Sequence, residues 1–171
     1  MRTIAMYCFI FLLTLPLISC AGATKTNKKE RFLSVEEHFQ LGFSAAKRGN
    51  LGEAVSEYKK VLKMDPKHPR ARLNLGIVYG RQGKWKREIS EYKRAIDLDP
   101  NFAEAHFNLG VAYGERGSLN EAIDQYRKAL QINPNYVEAH NNLGIIYFKK
   151  DRLDEALEDY DRAIALDVDY K

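Results

Sequence analysis

Cysteine is nearly absent from this chain, and the position of the two that exist excludes thiol chemistry from most of the sequence. Cys8 and Cys20 both lie within the first 20 of 171 residues. The remainder of the chain therefore forms no disulfide within itself. It also offers neither a thiol nucleophile nor a thiolate ligand for a metal.

A strong charge of one sign is also missing. The chain carries 27 basic and 23 acidic residues, which gives a formal net charge of +4. An excess this small does not demand a nucleic acid or an acidic substrate as a partner, and we predict no nucleic acid. With 45% hydrophobic and 29% charged residues, the composition is ordinary for one soluble folded domain.

The sequence contains none of the common motifs of catalysis or cofactor binding. There is no Gly-x4-Gly-Lys-Ser/Thr phosphate loop, no Gly-x-Ser-x-Gly, no His-Glu-x2-His and no calcium loop. His38, His106 and His140 recur at one position of a repeat, too far apart to share one zinc ion. We therefore predict no catalytic residues, no metal and no cofactor, and that the protein is not an enzyme.

The one long apolar run lies at the N-terminus, from Ile4 to Ile18, after the single basic residue Arg2. As a helix it would rise only about 22 Å, less than the roughly 30 Å hydrocarbon core of a bilayer. A cleaved export signal fits this pattern better than a spanning helix. Leu17-Ile18-Ser19-Cys20 resembles the lipobox of bacterial lipoproteins, which implies a signal peptide at residues 1–19 and lipidation of Cys20.

This resemblance implies a place for the mature protein as well. Residues 20–33 would be the lipidated cysteine and a polar tether, and a lipid anchor would hold the chain on a membrane. Alanine at position 21, where aspartate would retain a lipoprotein in the inner membrane of enterobacteria, implies the outer membrane of a bacterial envelope, facing the periplasm. A plain secretory signal or an uncleaved anchor is the alternative.

A period of 34 residues runs through the rest of the chain. Its clearest marker is a leucine-glycine pair, and a tyrosine and a proline recur at the same interval. The repeated residues are Leu41-Gly42, Leu75-Gly76, Leu109-Gly110 and Leu143-Gly144; Tyr58, Tyr92, Tyr126 and Tyr160; and Pro66, Pro100 and Pro134.

This pattern resembles the tetratricopeptide repeat (TPR), a 34-residue helix-turn-helix unit with Leu-Gly-x2-Tyr, Ala-x3-Phe and Pro at fixed positions. The resemblance implies an all-α, right-handed α-solenoid of about four such repeats, an α-α superhelix. The units are residues 35–68, 69–102, 103–136 and 137–170. Because one repeat cannot bury its apolar face alone, we expect the four to form one cooperative domain.

We predict that the glycine of each leucine-glycine pair lets the first helix of a repeat approach a small alanine on the second helix. The tyrosine is expected to fill the groove between neighbouring repeats, with its hydroxyl reaching water. Glu88 replaces the alanine in the second repeat, which weakens the prediction of a close helix crossing there. The repeat-packing residues are Gly42, Gly76, Gly110 and Gly144; Ala54, Ala122 and Ala156; and Tyr58, Tyr92, Tyr126 and Tyr160.

Helix ends are predicted from caps and glycines. Glycines are expected where the first helices end, and a capping serine or asparagine three residues before a glutamate predicts a helix start. The predicted ends are Gly49, Gly83 and Gly117, and the predicted starts are Ser34-Glu37, Asn101-Glu104, Ser118-Glu121 and Asn135-Glu138.

We expect no further helix to cover the last repeat, which has Val168 where the other repeats have proline. Either its acidic residues make a solubilising face that closes the stack, which we favour, or the exposed end stacks on another subunit. The acidic residues are Asp154, Glu155, Glu158, Asp159 and Asp161.

In the family that the repeats resemble, first helices line a concave face whose side chains contact the ligand. The resemblance implies an apolar groove with a row of carboxamides that could hold a peptide backbone. The alternatives are that the apolar residues pack in the core and that the amides are only solvated. The predicted groove residues are Phe39, Gln40, Phe43, Leu73, Asn74, Ile77, Phe107, Asn108, Val111, Asn142 and Ile145.

From this resemblance we predict a protein-protein interaction scaffold that binds a peptide or a helix of a partner protein. In layout it resembles the TPR lipoproteins that assist pilus assembly or recruit cell-wall hydrolases. One alternative is a structural component that self-associates through its C-terminal repeat, as the basic second and acidic fourth repeats allow. A weaker alternative is a helical repeat protein that binds RNA.

Overall fold

The computed structural model describes residues 33–166, and this part of the chain is entirely helical. Its helices form four antiparallel pairs joined by short turns, so the predicted all-α repeat fold is confirmed. The helices are α1 (Val35–Lys47), α2 (Leu51–Met64), α3 (Pro69–Arg81), α4 (Trp85–Leu98), α5 (Ala103–Gly114), α6 (Leu119–Ile132), α7 (Val137–Lys149) and α8 (Leu153–Leu166). The signal peptide, Cys20, the tether up to residue 32 and Val168 lie outside the described residues.

The first helix of each pair ends at a residue with positive φ. Gly49, Gly83 and Gly117 have φ of 82°, 71° and 76°, as the sequence predicted. A glycine adopts this left-handed conformation without a Cβ clash, and the chain then turns into the second helix. In the fourth repeat Asp151 occupies the same place, with φ of 57°.

Asp151 therefore holds a conformation that costs most L-residues about 1–2 kcal/mol. We expect Asp151→Gly to stabilise the protein by about 0.5–1 kcal/mol, because glycine removes the Cβ strain. Chemical denaturation would measure the change. Gly117→Asp is the matched reverse substitution and should destabilise the protein by a similar amount. A lower stability of the Asp151→Gly protein would contradict backbone strain at Asp151.

Short polar turns separate one repeat from the next. The side-chain oxygens of Asp65, Asp99 and Asn133 each accept a hydrogen bond at 3.1 Å from the backbone N–H two residues further on. A proline follows each of the three, and it disfavours helical backbone in the residue before it. The Asp-Pro and Asn-Pro steps thus end the second helices and reverse the chain.

Only one of the four predicted capping boxes forms. Ser34 and Glu37 cap each other at the start of α1. Asn101 and Asn135 lie one residue too early, because α5 and α7 begin after Phe102 and Tyr136 instead. Ser118 is the N-cap residue of α6, but its side chain makes no capping hydrogen bond. The backbone N–H groups of Asn101 and Asn135 instead bond the side chain at the preceding turn, which shifts the helix start.

The side chain closest to the glycine of each leucine-glycine pair is a tyrosine ring and not the predicted alanine, although the Ala156 carbonyl also lies close to Gly144. A Cβ atom placed on these glycines would lie 2.6–2.8 Å from the ring of the second helix in the same repeat. The pairs are Gly42 with Tyr58, Gly76 with Tyr92, Gly110 with Tyr126 and Gly144 with Tyr160. Glycine is needed because the ring fills the space of its missing side chain. Ala54, Ala122 and Ala156 are buried nearby.

The fourth residue of each repeat ties its two helices together. His38 Nδ1 lies 2.6 Å from Glu57, and Arg72 Nη1 lies 3.1 Å from Glu91. His106 contacts Gln125 in the same way, and His140 Nδ1 lies 2.7 Å from Asp159. In the last three repeats the same side chain also bonds the proline carbonyl of the preceding turn. These residues therefore have a structural role, because each joins the two helices of its own repeat.

The acidic face predicted on α8 forms in part. Asp154, Glu158 and Asp161 are exposed, whereas Asp159 turns inward to His140 and Glu155 pairs with Arg152. Leu153, Leu157 and Ile164 are also exposed on α8, so the acidic residues do not cover this end of the stack. The terminal helix keeps apolar residues at positions that are half-buried or buried in α2 and α6, because the same 34-residue pattern determines them.

The stack curves with the first helices inside. Each first helix contacts the next first helix, whereas no second helix within residues 33–166 contacts another second helix. First helices are therefore closer together and form the inner wall. None of the described helices combines the length and hydrophobicity needed to cross a membrane.

Candidate protein-binding groove

The inner wall carries aromatic side chains that the core holds in place. Phe39 packs edge-on against Tyr58, with ring centroids 5.7 Å apart, and stacks on His68 at 5.3 Å. Phe107 contacts Tyr126 at 5.8 Å and Tyr136 at 4.8 Å. Both phenylalanines remain half-buried. One face of each ring is thus fixed while part of the ring stays open to a ligand.

Two further apolar residues of the inner wall are exposed. Phe43 is 43% exposed, with the Lys47 ammonium 4.9 Å from its ring centroid, and Ile145 is 36% exposed. Ile77 and Val111 are half-buried and pack on the core beneath them. These four residues agree with an apolar groove that has a shallow floor.

Leu73 does not belong to the groove, and this prediction is wrong. Its side chain is 1% exposed and packs in the cluster that contains Tyr92, Ala95 and Leu109. Leu73 occupies the same repeat position as Phe39 and Phe107. The shorter leucine stays within the core where the longer phenylalanine emerges from it.

Two of the four predicted groove carboxamides form hydrogen bonds within the protein that join neighbouring repeats. Asn74 forms a hydrogen bond with Tyr58 of the preceding repeat, and Asn142 does so with Tyr126. Burial raises the pKa of Tyr126 to about 12. These asparagines therefore join neighbouring repeats, and the tyrosine hydroxyls end on them rather than in water. A peptide could use only their remaining donor and acceptor capacity.

The other two carboxamides bond within their own helices. Asn108 Nδ2 donates to the Glu104 carbonyl at 2.8 Å, and Gln40 Nε2 donates to Glu36 Oε1 at 2.6 Å. Gln40 is exposed and Asn108 is half-buried. Both can exchange these bonds for bonds to a ligand, because neither joins two helices.

Asn108 differs from Asn74 and Asn142 because the tyrosine of the preceding repeat, Tyr92, forms its side-chain hydrogen bond with Glu88. The Glu88 side chain is buried against Gly80, where a Cβ would lie 2.5 Å from its Oε1 atom. The carboxylate therefore fills the space beside Gly80. A Cβ on Gly76 would lie 2.6 Å from Tyr92, so the helix crossing is as close as in the other repeats.

The buried carboxylate of Glu88 pairs with the next repeat. Arg116 Nη2 donates to Glu88 Oε2 at 3.1 Å, and Arg116 Nη1 donates to the Ala112 carbonyl at 2.7 Å. Burial raises the pKa of Glu88 above its ordinary value, and the Arg116 guanidinium opposes that rise. Glu88 thus connects the second and third repeats through charge where the other repeats have alanine.

A cleft that the sequence did not predict lies beside this ion pair. Its volume is about 530 Å³, and the Arg116 guanidinium lies 5.6 Å from the exposed Trp85 ring. Trp85 stands where the other second helices begin with leucine, and this substitution was the available signal. The cleft is lined by Trp85, Ile89, Tyr113, Glu115, Arg116 and Ser118.

Solved structures with a similar fold are all-helical repeat proteins. A crystal structure of MamA is 28% identical over 78% of each chain, with a TM-score of 0.73. MamA from Desulfovibrio magneticus RS-1, from residue 41 to its end, is 27% identical over 81% of this chain and 78% of that chain, with a TM-score of 0.71. MamA MSR-1 is 25% identical over 79% and 78%, with a TM-score of 0.66.

Sequence comparison leads to the same assignment. No curated protein sequence matches the chain. A family model described as the TPR repeat matches residues 45–83, 81–117 and 113–151, and one described as the tetratricopeptide repeat matches residues 137–170. These matches cover most of the chain and overlap the helix pairs described above. The chain therefore belongs to the tetratricopeptide repeat family and is a protein-protein interaction scaffold.

Proposed function

We infer that this scaffold is a membrane-tethered adaptor whose inner wall binds a peptide or a helix of another envelope protein during assembly of an envelope complex. The observation that carries this proposal is the set of apolar side chains on the inner wall. Phe39 and Phe107 are anchored by aromatic contacts, and Phe43 and Ile145 are partly open to solvent. Pre-positioned apolar side chains lose little conformational entropy when a ligand covers them.

The apolar positions of the groove lie one repeat apart, which suits a ligand with regularly spaced apolar residues. An amphipathic helix or an extended segment has such spacing. Gln40 and Asn108 are placed to bond its polar groups, because they are not committed to joining helices. We therefore expect the apolar side chains to be the main contacts of the ligand and the carboxamides to be secondary contacts.

A pair of groove substitutions tests this proposal. Phe43→Asp with Ile145→Asp should weaken partner binding about tenfold, because charge is placed where apolar surface is buried. The partner is isolated on the tagged full-length protein from its native host, identified by mass spectrometry, purified and titrated. The matched control is Met64→Asp with Leu98→Asp, which changes two exposed apolar residues at the ends of second helices. Equal losses in both pairs would show that the groove is not the site.

The membrane tether depends on Cys20, which lies outside the described residues. We expect Cys20→Ala to abolish incorporation of a labelled fatty acid and to release the protein from the membrane fraction. Fractionation of inner and outer membranes then tests the proposed outer-membrane location. Continued labelling of the Cys20→Ala protein would refute lipidation at this residue.

A further inference from the structure

The outer side of α8 presents an apolar stripe that has no covering helix among the described residues. Leu153, Leu157 and Ile164 are 50%, 61% and 70% exposed, and we call this surface the end face. At the equivalent positions of the third repeat, Leu119, Ile123 and Leu130 pack in one cluster with α7. The end face therefore repeats a surface that the same fold elsewhere covers with a helix.

The covering helices show what such a surface accepts. Each of α3, α5 and α7 carries a fully buried alanine, then a leucine four residues later, an aliphatic residue three further on and a tyrosine directly after it. These residues are Ala71, Leu75, Val78 and Tyr79 in α3; Ala105, Leu109, Ala112 and Tyr113 in α5; and Ala139, Leu143, Ile146 and Tyr147 in α7. One face of an α-helix contains all four positions.

The charge beside the stripe is different in the last repeat. Inside the stack, the Lys93 ammonium lies 5.8 Å from the Tyr113 ring, and the Arg127 guanidinium lies 5.8 Å from the Tyr147 ring. Asp161 occupies this position on α8, where it is exposed. A carboxylate beside an aromatic face is not attractive, whereas a carboxylate beside a lysine or arginine is.

Two more carboxylates, on Asp154 and Glu158, are exposed on the same side of α8. A helix that covers the end face therefore meets three acidic side chains along one edge of the apolar stripe. Basic residues on the covering helix complement this edge, and acidic residues would be repelled.

A second copy of the chain does not supply a suitable helix through α1. At the positions of the buried alanine and the aliphatic residue, α1 carries Glu37 and Ser44. Head-to-tail stacking would place the Glu37 carboxylate where the inner repeats bury an alanine. Burial of a charged side chain in an apolar contact disfavours the homo-oligomer that the sequence suggested.

We propose that the end face is a second docking surface, separate from the groove, that binds a basic amphipathic helix of a partner protein. The helix presents alanine, leucine and an aliphatic residue to Leu153, Leu157 and Ile164. It carries lysine or arginine, rather than tyrosine, opposite Asp161. The partner helix thus takes the place that a following first helix takes inside the stack, with a cation instead of the tyrosine.

A peptide derived from this chain provides the probe. Residues 69–81 contain the covering pattern together with three arginines and no acidic residue. A hydrocarbon bridge between positions 73 and 77 holds the peptide helical and lies away from the covering residues. Two labelled forms are compared, one with the natural tyrosine at position 79 and one with Tyr79→Arg. Fluorescence anisotropy measures their binding to the full-length protein.

We expect the Tyr79→Arg peptide to bind roughly threefold tighter than the natural form. Leu157→Asp in the protein should weaken both peptides about tenfold, since it places charge within the stripe. Asp161→Arg should reverse the preference between the two peptides, because it restores the cation found in the inner repeats. Met64→Asp is the matched control and should change neither affinity.

Several outcomes would overturn the proposal. These outcomes are that neither peptide binds, that the two forms bind with equal affinity, or that Leu157→Asp has no effect. Loss of binding in the protein with Phe43→Asp and Ile145→Asp would place the peptide in the groove. Self-association that sedimentation detects in the wild type and not in Leu157→Asp would make a second copy the occupant. The groove variants leave the end face intact, so the two proposals fail separately.

Discussion

Gly110→Ala is expected to destabilise the protein by about 2–3 kcal/mol, although it adds only one methyl group. A Cβ at this position would lie 2.7 Å from Tyr126 Cε1 and 2.8 Å from its Cδ1 atom. The ring is 3% exposed and its hydroxyl bonds Asn142 of the next repeat, so it cannot move aside without losing that contact. Thermal unfolding should show a midpoint roughly 10 °C lower.

Gly114→Ala is the matched control, since it makes the same change one turn later in α5. Its Cβ would meet Ile146 at 3.5 Å and Ala122 at 3.8 Å, which are ordinary contacts. We expect this variant to be up to about 1 kcal/mol more stable, because alanine favours helix over glycine. Similar effects of the two substitutions would mean that helix propensity, and not the Tyr126 ring, explains the glycine.

Arg116→Met is expected to destabilise the protein by about 2–3 kcal/mol at neutral pH. It removes the guanidinium that pairs with the Glu88 carboxylate, whose side chain is only 10% exposed. The loss should shrink as the pH falls, because protonated Glu88 no longer needs a cation. Denaturation of both proteins between about pH 4 and pH 8 would measure this dependence.

The direction of the pH effect follows from the raised pKa of Glu88. Burial favours the protonated carboxyl in the folded state. The stability that this group contributes is therefore complete below its pKa in the unfolded chain and decreases as the pH rises through the higher folded pKa. Removing Arg116 raises the folded pKa further, so the decrease becomes larger and extends to higher pH.

Glu88→Gln provides the control for this ion pair. In that background Arg116→Met should destabilise by less than about 1 kcal/mol, and the difference should not depend on pH, because no buried carboxylate is left unpaired. A large, pH-independent loss in the Glu88→Gln background would mean that Arg116 acts through Ala112 or Trp85 instead.

The 34-residue period predicted the helices well, because the spacing of residues along the chain is enough to recognise the repeat. Leucine, glycine, tyrosine and proline at intervals of 34 residues gave the four helix pairs, and positive φ at Gly49, Gly83 and Gly117 agreed with the predicted helix ends. Spacing does not reveal which side chain faces which. The side chain closest to each glycine was therefore predicted as alanine when it is tyrosine.

The groove was predicted in part, for a related reason. Repeat position places Phe39, Leu73 and Phe107 at equivalent points, but only side-chain length decides which of them emerges from the core. The hydrogen bonds of Asn74 and Asn142 to tyrosines depend on the distance between repeats, which the sequence does not contain. Glu88 was recognised as a departure, yet its partner Arg116 lies 28 residues away and is visible only in the fold.

Site-specific photo-crosslinking in the native host would test most directly whether the inner wall is the binding site. A photoreactive phenylalanine analogue replaces Phe43 or Ile145 in the groove, and Met64 or Leu98 outside it. We expect adducts with one and the same protein from both groove positions and none from the outer pair. Absence of groove adducts, or equal adducts from Met64 and Leu98, would contradict binding at the inner wall.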